Sequence, residues 1–243
     1  MLMCFALLLA RPALTRAQSK GVEKDLITFQ GHKRIVYVFI PDSSPTAVPA
    51  PLIVLLHGSG EEGISLAGPW RPLAAREGII LVAPNSANRR TWDPHDDHPD
   101  FIRELIDNVE VRHLIDRRRL YLFGHSGGGM YALTLSLLES QYFAATAVHA
   151  GVLRQVTEQT LESAKRKIPL ALWSGTQDRM ISLQAVEASQ HILEEHGFPV
   201  ELHQMPGRDH NYYVHSSGVN EAAWGFLRGH ELEESPKFQS YKP

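Results

Sequence analysis

A chain of 243 residues, 43% of them apolar, can bury one large core and reads as a single domain. Its formal net charge of -3 excludes the basic footprint of a nucleic-acid binder, and no run of like charge marks a tail for a charged partner. The single cysteine, Cys4, excludes a disulfide within the chain.

Met1 to Ala10 is almost wholly apolar, too short to span a bilayer, and leads to a small residue at Ala17. Residues 1–17 therefore read as a secretory signal cleaved before Gln18. That places the mature protein outside the cell or in a periplasm, a cytoplasmic location being the alternative. The catalytic domain is assigned to 18–229 and a loose, charged tail to 230–243.

Asp25 to Phe29 and Arg34 to Ile40 are β-rich runs around Gly31-His32 and read as an antiparallel hairpin at a sheet edge. After a Pro-rich loop, Leu52 to Leu56 is a continuous apolar run, the mark of a strand buried on both faces, and it passes directly into His57-Gly58-Ser59-Gly60. Trp70 to Arg76 reads as a short helix ended by Gly78, and Ile79 to Pro84 as the next strand. The polar stretch Asn85 to His98 is a loop around Trp92; its Asp and His residues lack metal-ligand spacing, so no metal is assigned to them. Phe101 to Leu114 has a helical apolar period.

The centre of the sequence is Leu120 to Ala132, where an apolar run passes through Gly124-His125-Ser126-Gly127-Gly128 into a helical pattern. A G-x-S-x-G turn between strand and helix lifts the serine hydroxyl clear of the sheet, and the flanking glycines let the two elements approach. The Gly127 amide then falls at a helix N-terminus, suited to an oxyanion, with the Ser59 amide as its partner and Gly58 as the alternative. Ala144 to Val148 is another strand, whose following His149 reads as structural. Only a short connection leads from there to the next strand, which leaves no room for a large lid.

Pro169 to Gly175 is a strand running into Asp178, Ser182 caps a helix that Gly197 ends, and Val200 to Met205 precedes Pro206 to His210. The segment Glu221 to Leu227 is the final helix. Three reactive side chains thus follow three strands in the order Ser126, Asp178, His210. A serine is a weak nucleophile until a histidine accepts its proton, and a carboxylate fixes that histidine's tautomer. Asp209 is the rival acid, and His203 and His215 are the rival bases. His125 and Trp92 are the candidate substrate contacts.

The alternation implies a mostly parallel sheet with an antiparallel N-terminal edge hairpin and helices on both faces. From Leu52 to His210 the chain resembles the α/β-hydrolases, and within them it is most similar to the group of polyhydroxybutyrate depolymerases and feruloyl esterases. Leu55 to Gly58, Tyr121 to Gly128, Gly175 to Asp178 and His210 carry the likeness. It implies an ester hydrolase that forms an acyl-enzyme on small or aryl esters, with no cofactor and no membrane span. A serine peptidase or amidase of the same fold, or a noncatalytic binding protein on this scaffold, are the alternatives.

Overall fold

The computed structural model describes residues 21–42, 48–154 and 156–240; the segment read as a signal, with Cys4, lies outside them. Two strands, β1 (Glu23–Phe29) and β2 (His32–Phe39), form the expected hairpin. Its two-residue turn holds Gln30 and Gly31 at φ 47° and 81°, the left-handed pair that matches strand twist. Six further strands follow: β3 (Ala50–Leu56), β4 (Ile80–Pro84), β5 (Ile115–His125), β6 (Ala145–His149), β7 (Leu170–Gly175) and β8 (Val200–Met205). They lie in the order β1-β2-β4-β3-β5-β6-β7-β8, antiparallel as far as the β2–β4 pair and parallel from there on.

Every residue of β3 is buried, and alternation along it divides the core in two. Leu52, Val54 and Leu56 face one side, together with α2 (Pro99–Glu110), α3 (Gly127–Leu138) and α5 (Leu183–Glu195). Ile53 and Leu55 face the other, against α1 (Gly63–Glu77) and α6 (Ser216–Leu227). Each buried aliphatic side chain contributes about 1.5–3 kcal/mol, so the two apolar layers dominate the stability of the sheet. A short helix, α4 (Glu158–Ser163), lies between β6 and β7 and adds Leu161 to the first layer.

Three expectations need correction. Helix α1 begins at Gly63, not Trp70, and holds Pro69 and Pro72 within it; burial of Leu66, Ala67 and Trp70 outweighs the missing backbone donors. Helix α2 stops at Glu110, and Leu114 is half exposed ahead of β5. The segment after α6 is not loose: Leu232 is buried and exchanges hydrogen bonds with Arg118, at 2.9 Å from its own N–H and 2.5 Å from the guanidinium. Further on, Lys237 N–H donates to the Gln141 carbonyl at 3.1 Å, and Phe238 packs edge-on against Tyr142.

The loop from Asn85 to His98 is organised from within rather than merely solvated. Asp97 is fully buried and forms an ion pair with Arg34 of β2, while its oxygens accept the Ala87 amide at 2.7 Å and the Asp93 amide at 3.1 Å. A buried pair of this kind is retained for position rather than net stability, because both ions lose hydration. Here it fixes Trp92: the Asp97 carbonyl accepts the Tyr131 hydroxyl, and the Tyr131 ring stacks on Trp92 at 5.3 Å and 8°.

Candidate active site

Strand register brings the site together. Gly124 of β5 lies opposite Leu56 of β3 on one side and Val148 of β6 on the other, so the loop after β3 runs beside the serine turn. Ser126 has φ 52° and ψ -118°, a conformation that side-chain-bearing residues rarely adopt. It persists because the turn is held on both sides: Ser126 N–H donates to the His149 carbonyl at 2.9 Å, and Met130 N–H to the Ser126 carbonyl at 3.0 Å. The glycines provide clearance, since a Cβ on Gly124 would lie 2.4 Å from the Gly128 carbonyl oxygen and one on Gly128 would lie 2.0 Å from that of Leu56.

Loops after β7 and β8 are laced to each other. Thr176 N–H donates to the Met205 carbonyl at 3.1 Å, Gln177 N–H to that of Arg208 at 2.9 Å, and Gly207 N–H to the Thr176 hydroxyl at 2.9 Å. This sets Asp178 under His210. Its Oδ2 is 2.7 Å from His210 Nδ1, and its Oδ1 accepts the Met180 and Ile181 amides, each at 2.8 Å. On the far side of the ring, His210 Nε2 is 2.8 Å from Ser126 Oγ. Serine, histidine and aspartate therefore form one continuous chain of hydrogen bonds. The rivals are elsewhere: Asp209 accepts the Asn211 amide in its own loop, His203 stacks on Trp173 beside Glu201, and His215 contacts Arg208.

Ser59 lies against the serine turn, its backbone nitrogen 3.3 Å from where a Gly127 Cβ would stand. The competing Gly58 amide is engaged by Glu61 Oε2 at 3.1 Å, which leaves the Ser59 amide as the candidate to pair with that of Gly127 at the start of α3. Glu61 also accepts from the hydroxyls of Tyr213 and of Ser65, the latter at 3.3 Å, and so ties the loop after β3 to the loop after His210. Sequence reading passed over Glu61; an acid three residues beyond Gly58, within reach of that glycine's amide, is the local signal that could have found it.

Two hollows flank the Ser126–His210 contact. One, of about 450 Å3, is lined by Ser126, Ser59 and Gly127 together with Trp92, Met130, Tyr131 and Ile181. The other, of about 1040 Å3, lies on the His210 side, with Glu61, His125, Gln177, Asp209 and Tyr213 in its wall. Met180 borders both. Trp92 stands in the wall of the first hollow, and its indole N–H donates to the His57 carbonyl at 2.8 Å. His57 is itself structural: its Nδ1 meets the Gly58 carbonyl at 2.8 Å, its Nε2 accepts the Ser86 amide at 3.1 Å, and burial holds it neutral.

His125, expected as a substrate contact, is buried, borders the His210-side hollow rather than the one beside Ser126, and stacks on Tyr212 behind His210. Its Nδ1 lies 3.0 Å from that of His149, so one ring donates and the other accepts. Burial pulls His125 down to about 4 and His149 to about 3, from the usual 6.5. The unfolded chain would take up protons that the folded pair refuses, so the pair's contribution is complete above about pH 6.5 and lost as pH falls through those values. Urea midpoints measured from pH 7 to pH 4 are expected to fall, and His149→Gln, which has no titrating ring, should show a shallower slope.

Among the described residues no group of three or more His, Cys, Asp or Glu is placed to hold a metal ion, and no helix is long and apolar enough to cross a membrane.

A mostly parallel sheet with an antiparallel edge, a strained serine turn after β5 and acidic and imidazole groups after β7 and β8 define an α/β-hydrolase fold. The phospholipase/carboxylesterase family model matches residues 95–217, and the chain belongs to that family. Among curated proteins it is 29% identical over 162 residues to a bifunctional acetylxylan esterase/xylanase of Neocallimastix patriciarum, covering 65% of this chain and 23% of that protein. It is 25% identical over 178 residues to the poly(3-hydroxybutyrate) depolymerase of Ralstonia pickettii, covering 61% of this chain and 36% of that one. The chain therefore spans only a minor part of the length of these relatives. The fold matches the crystal structure of a thermostable esterase with a TM-score of 0.71 at 19% identity, over 86% of this chain and 63% of that one.

Proposed function

We propose that the chain is a serine-dependent carboxylic ester hydrolase that works through an acyl-enzyme on small or aryl esters. The observation that carries this reading is the unbroken contact from Asp178 through His210 to Ser126, at 2.7 and 2.8 Å. Ser126 Oγ attacks the ester carbonyl while His210 Nε2 takes its proton, and Asp178 holds Nδ1–H so that Nε2 is free to accept. Negative charge then gathers on the carbonyl oxygen, where the Ser59 and Gly127 amides receive it with the positive end of α3 behind them. His210 returns the proton to the departing alcohol, and water, activated by the same ring, releases the acid.

Because His210 must reach the leaving oxygen, the alcohol belongs on the 1040 Å3 His210 side and the acyl group in the 450 Å3 hollow beside Ser126. The size of that hollow favours short or aryl acyl groups over long lipid chains. The purified protein is expected to hydrolyse p-nitrophenyl acetate and butyrate well above the spontaneous rate. A fluorophosphonate probe should label Ser126, located by peptide mass spectrometry. Turnover of p-nitroanilide amides without ester turnover would shift the assignment to an amidase; no turnover and no labelling would leave a binding protein.

A further inference from the structure

Arg154, in the connection between β6 and α4, borders the same 450 Å3 hollow as Ser126, Ser59 and Gly127. It is exposed and makes no hydrogen bond or ion pair among the described residues. That sets it apart from arginines such as Arg34, Arg117 and Arg119, each of which meets a carboxylate. The remaining wall is mixed: Trp92, Met130, Tyr131, Met180 and Ile181 supply its apolar part and the hydroxyls of Thr91 and Thr134 a neutral polar part. One acid, Asp93, shares the lining, but its Oδ1 is turned to its own loop and accepts the His95 amide at 2.8 Å. The hollow therefore offers, beside the reacting serine, a lining of mixed polarity and, among the described residues, one uncommitted guanidinium.

A guanidinium is always charged and offers paired donors whose geometry matches a carboxylate. The hollow is on the acyl side, since His210 and the departing alcohol take the other. We propose that Arg154 makes this hollow a subsite for acyl groups ending in a carboxylate, so that half-esters of short dicarboxylic acids are preferred to neutral acyl chains of equal length. This rests on the assignment of Ser126 as the nucleophile. In the reaction, Ser126 Oγ bonds to the ester carbonyl carbon and the alcohol leaves with the proton held by His210. Water then cleaves the acyl-enzyme to give the free dicarboxylate, whose distal group stays ionised on Arg154 throughout.

The test compares kcat/KM for 4-nitrophenyl hydrogen adipate and 4-nitrophenyl hexanoate, six-carbon acyl groups that differ in the distal carboxylate. The wild-type ratio of adipate to hexanoate is expected to be about tenfold, the size of one partly solvated charge-assisted contact. Arg154→Gln should bring that ratio close to one, Arg154→Lys should keep part of it, and added salt should lower it in the wild type and in Arg154→Lys but not in Arg154→Gln. If both esters are hydrolysed but the wild type shows no preference for adipate, or Arg154→Gln leaves the preference intact, the subsite is overturned while the esterase stands. If neither ester is hydrolysed faster than by Ser126→Ala, the esterase reading fails and takes the subsite with it.

Discussion

Ser126→Ala is expected to lower kcat on p-nitrophenyl butyrate by about 10^4-fold or more while leaving the fold intact, because a hydroxyl is lost from a turn whose shape is set by backbone contacts. Asp178→Asn should fall by a similar order, about 10^4-fold, for a reason the local bonding makes specific. The Met180 and Ile181 amides, both donating to Oδ1, would hold the asparagine carbonyl oxygen in that place. The amide nitrogen is then turned toward His210 Nδ1, which must accept instead of donate. The ring proton moves to Nε2, the atom that has to receive the proton of Ser126. Steady-state kinetics beside far-ultraviolet circular dichroism would check both variants. An Asp178→Asn enzyme with nearly full activity would remove the aspartate from the mechanism.

Gly128→Ala is the second large effect, and it acts on structure first. The added methyl would lie 2.0 Å from the Leu56 carbonyl oxygen, 2.3 Å from the Leu56 carbonyl carbon and 2.5 Å from the His57 carbonyl oxygen. All three are backbone atoms of β3 and the loop that carries Ser59, so no side-chain rotation relieves the clash. A stability loss of at least about 3 kcal/mol is expected, at the upper end for overpacking, and any folded fraction should have lost activity because Ser59 moves with Leu56. Gly225→Ala in α6 is the control. Nothing lies within 4 Å of its added methyl, and a helical alanine should add about 0.5–1 kcal/mol. Urea unfolding of both would show whether clearance at Gly128 or glycine content in general sets the cost.

How much of this was legible depends on how local the information is. The serine turn, the residues closing β7 and β8, and the Ser182 cap of α5, whose hydroxyl accepts the Ala185 amide at 3.2 Å, are written in adjacent residues and emerged from the sequence. The extent of α1 did not, because propensity weighs Pro69 and Pro72 and cannot weigh the packing of Trp70 against Phe123. The pairing of Arg34 with Asp97 spans 63 positions, and the docking of Leu232 on Arg118 spans 114, so neither leaves a local pattern. His125 is a different case. Tyr121 and Phe123 of β5 point to the α1 and α6 side, and strand alternation sends His125 the same way, behind His210. Adjacency to Ser126 suggested a substrate contact; parity along the strand sets the ring in the wall of the His210-side hollow, away from the one beside Ser126.

The Arg34–Asp97 pair also bears on how the acyl hollow could be redesigned. The Trp92 wall has the outward form of an exchangeable surface loop, a piece to be swapped between homologues to change selectivity. Its shape, though, is set by a carboxylate whose counter-ion comes from the edge hairpin and whose backbone oxygen holds Tyr131 of α3. Grafting 85–98 alone onto a scaffold lacking Arg34 would bring in a buried anion with no partner. The transferable unit is therefore discontinuous: the loop, one arginine of the edge hairpin and Tyr131, moved together.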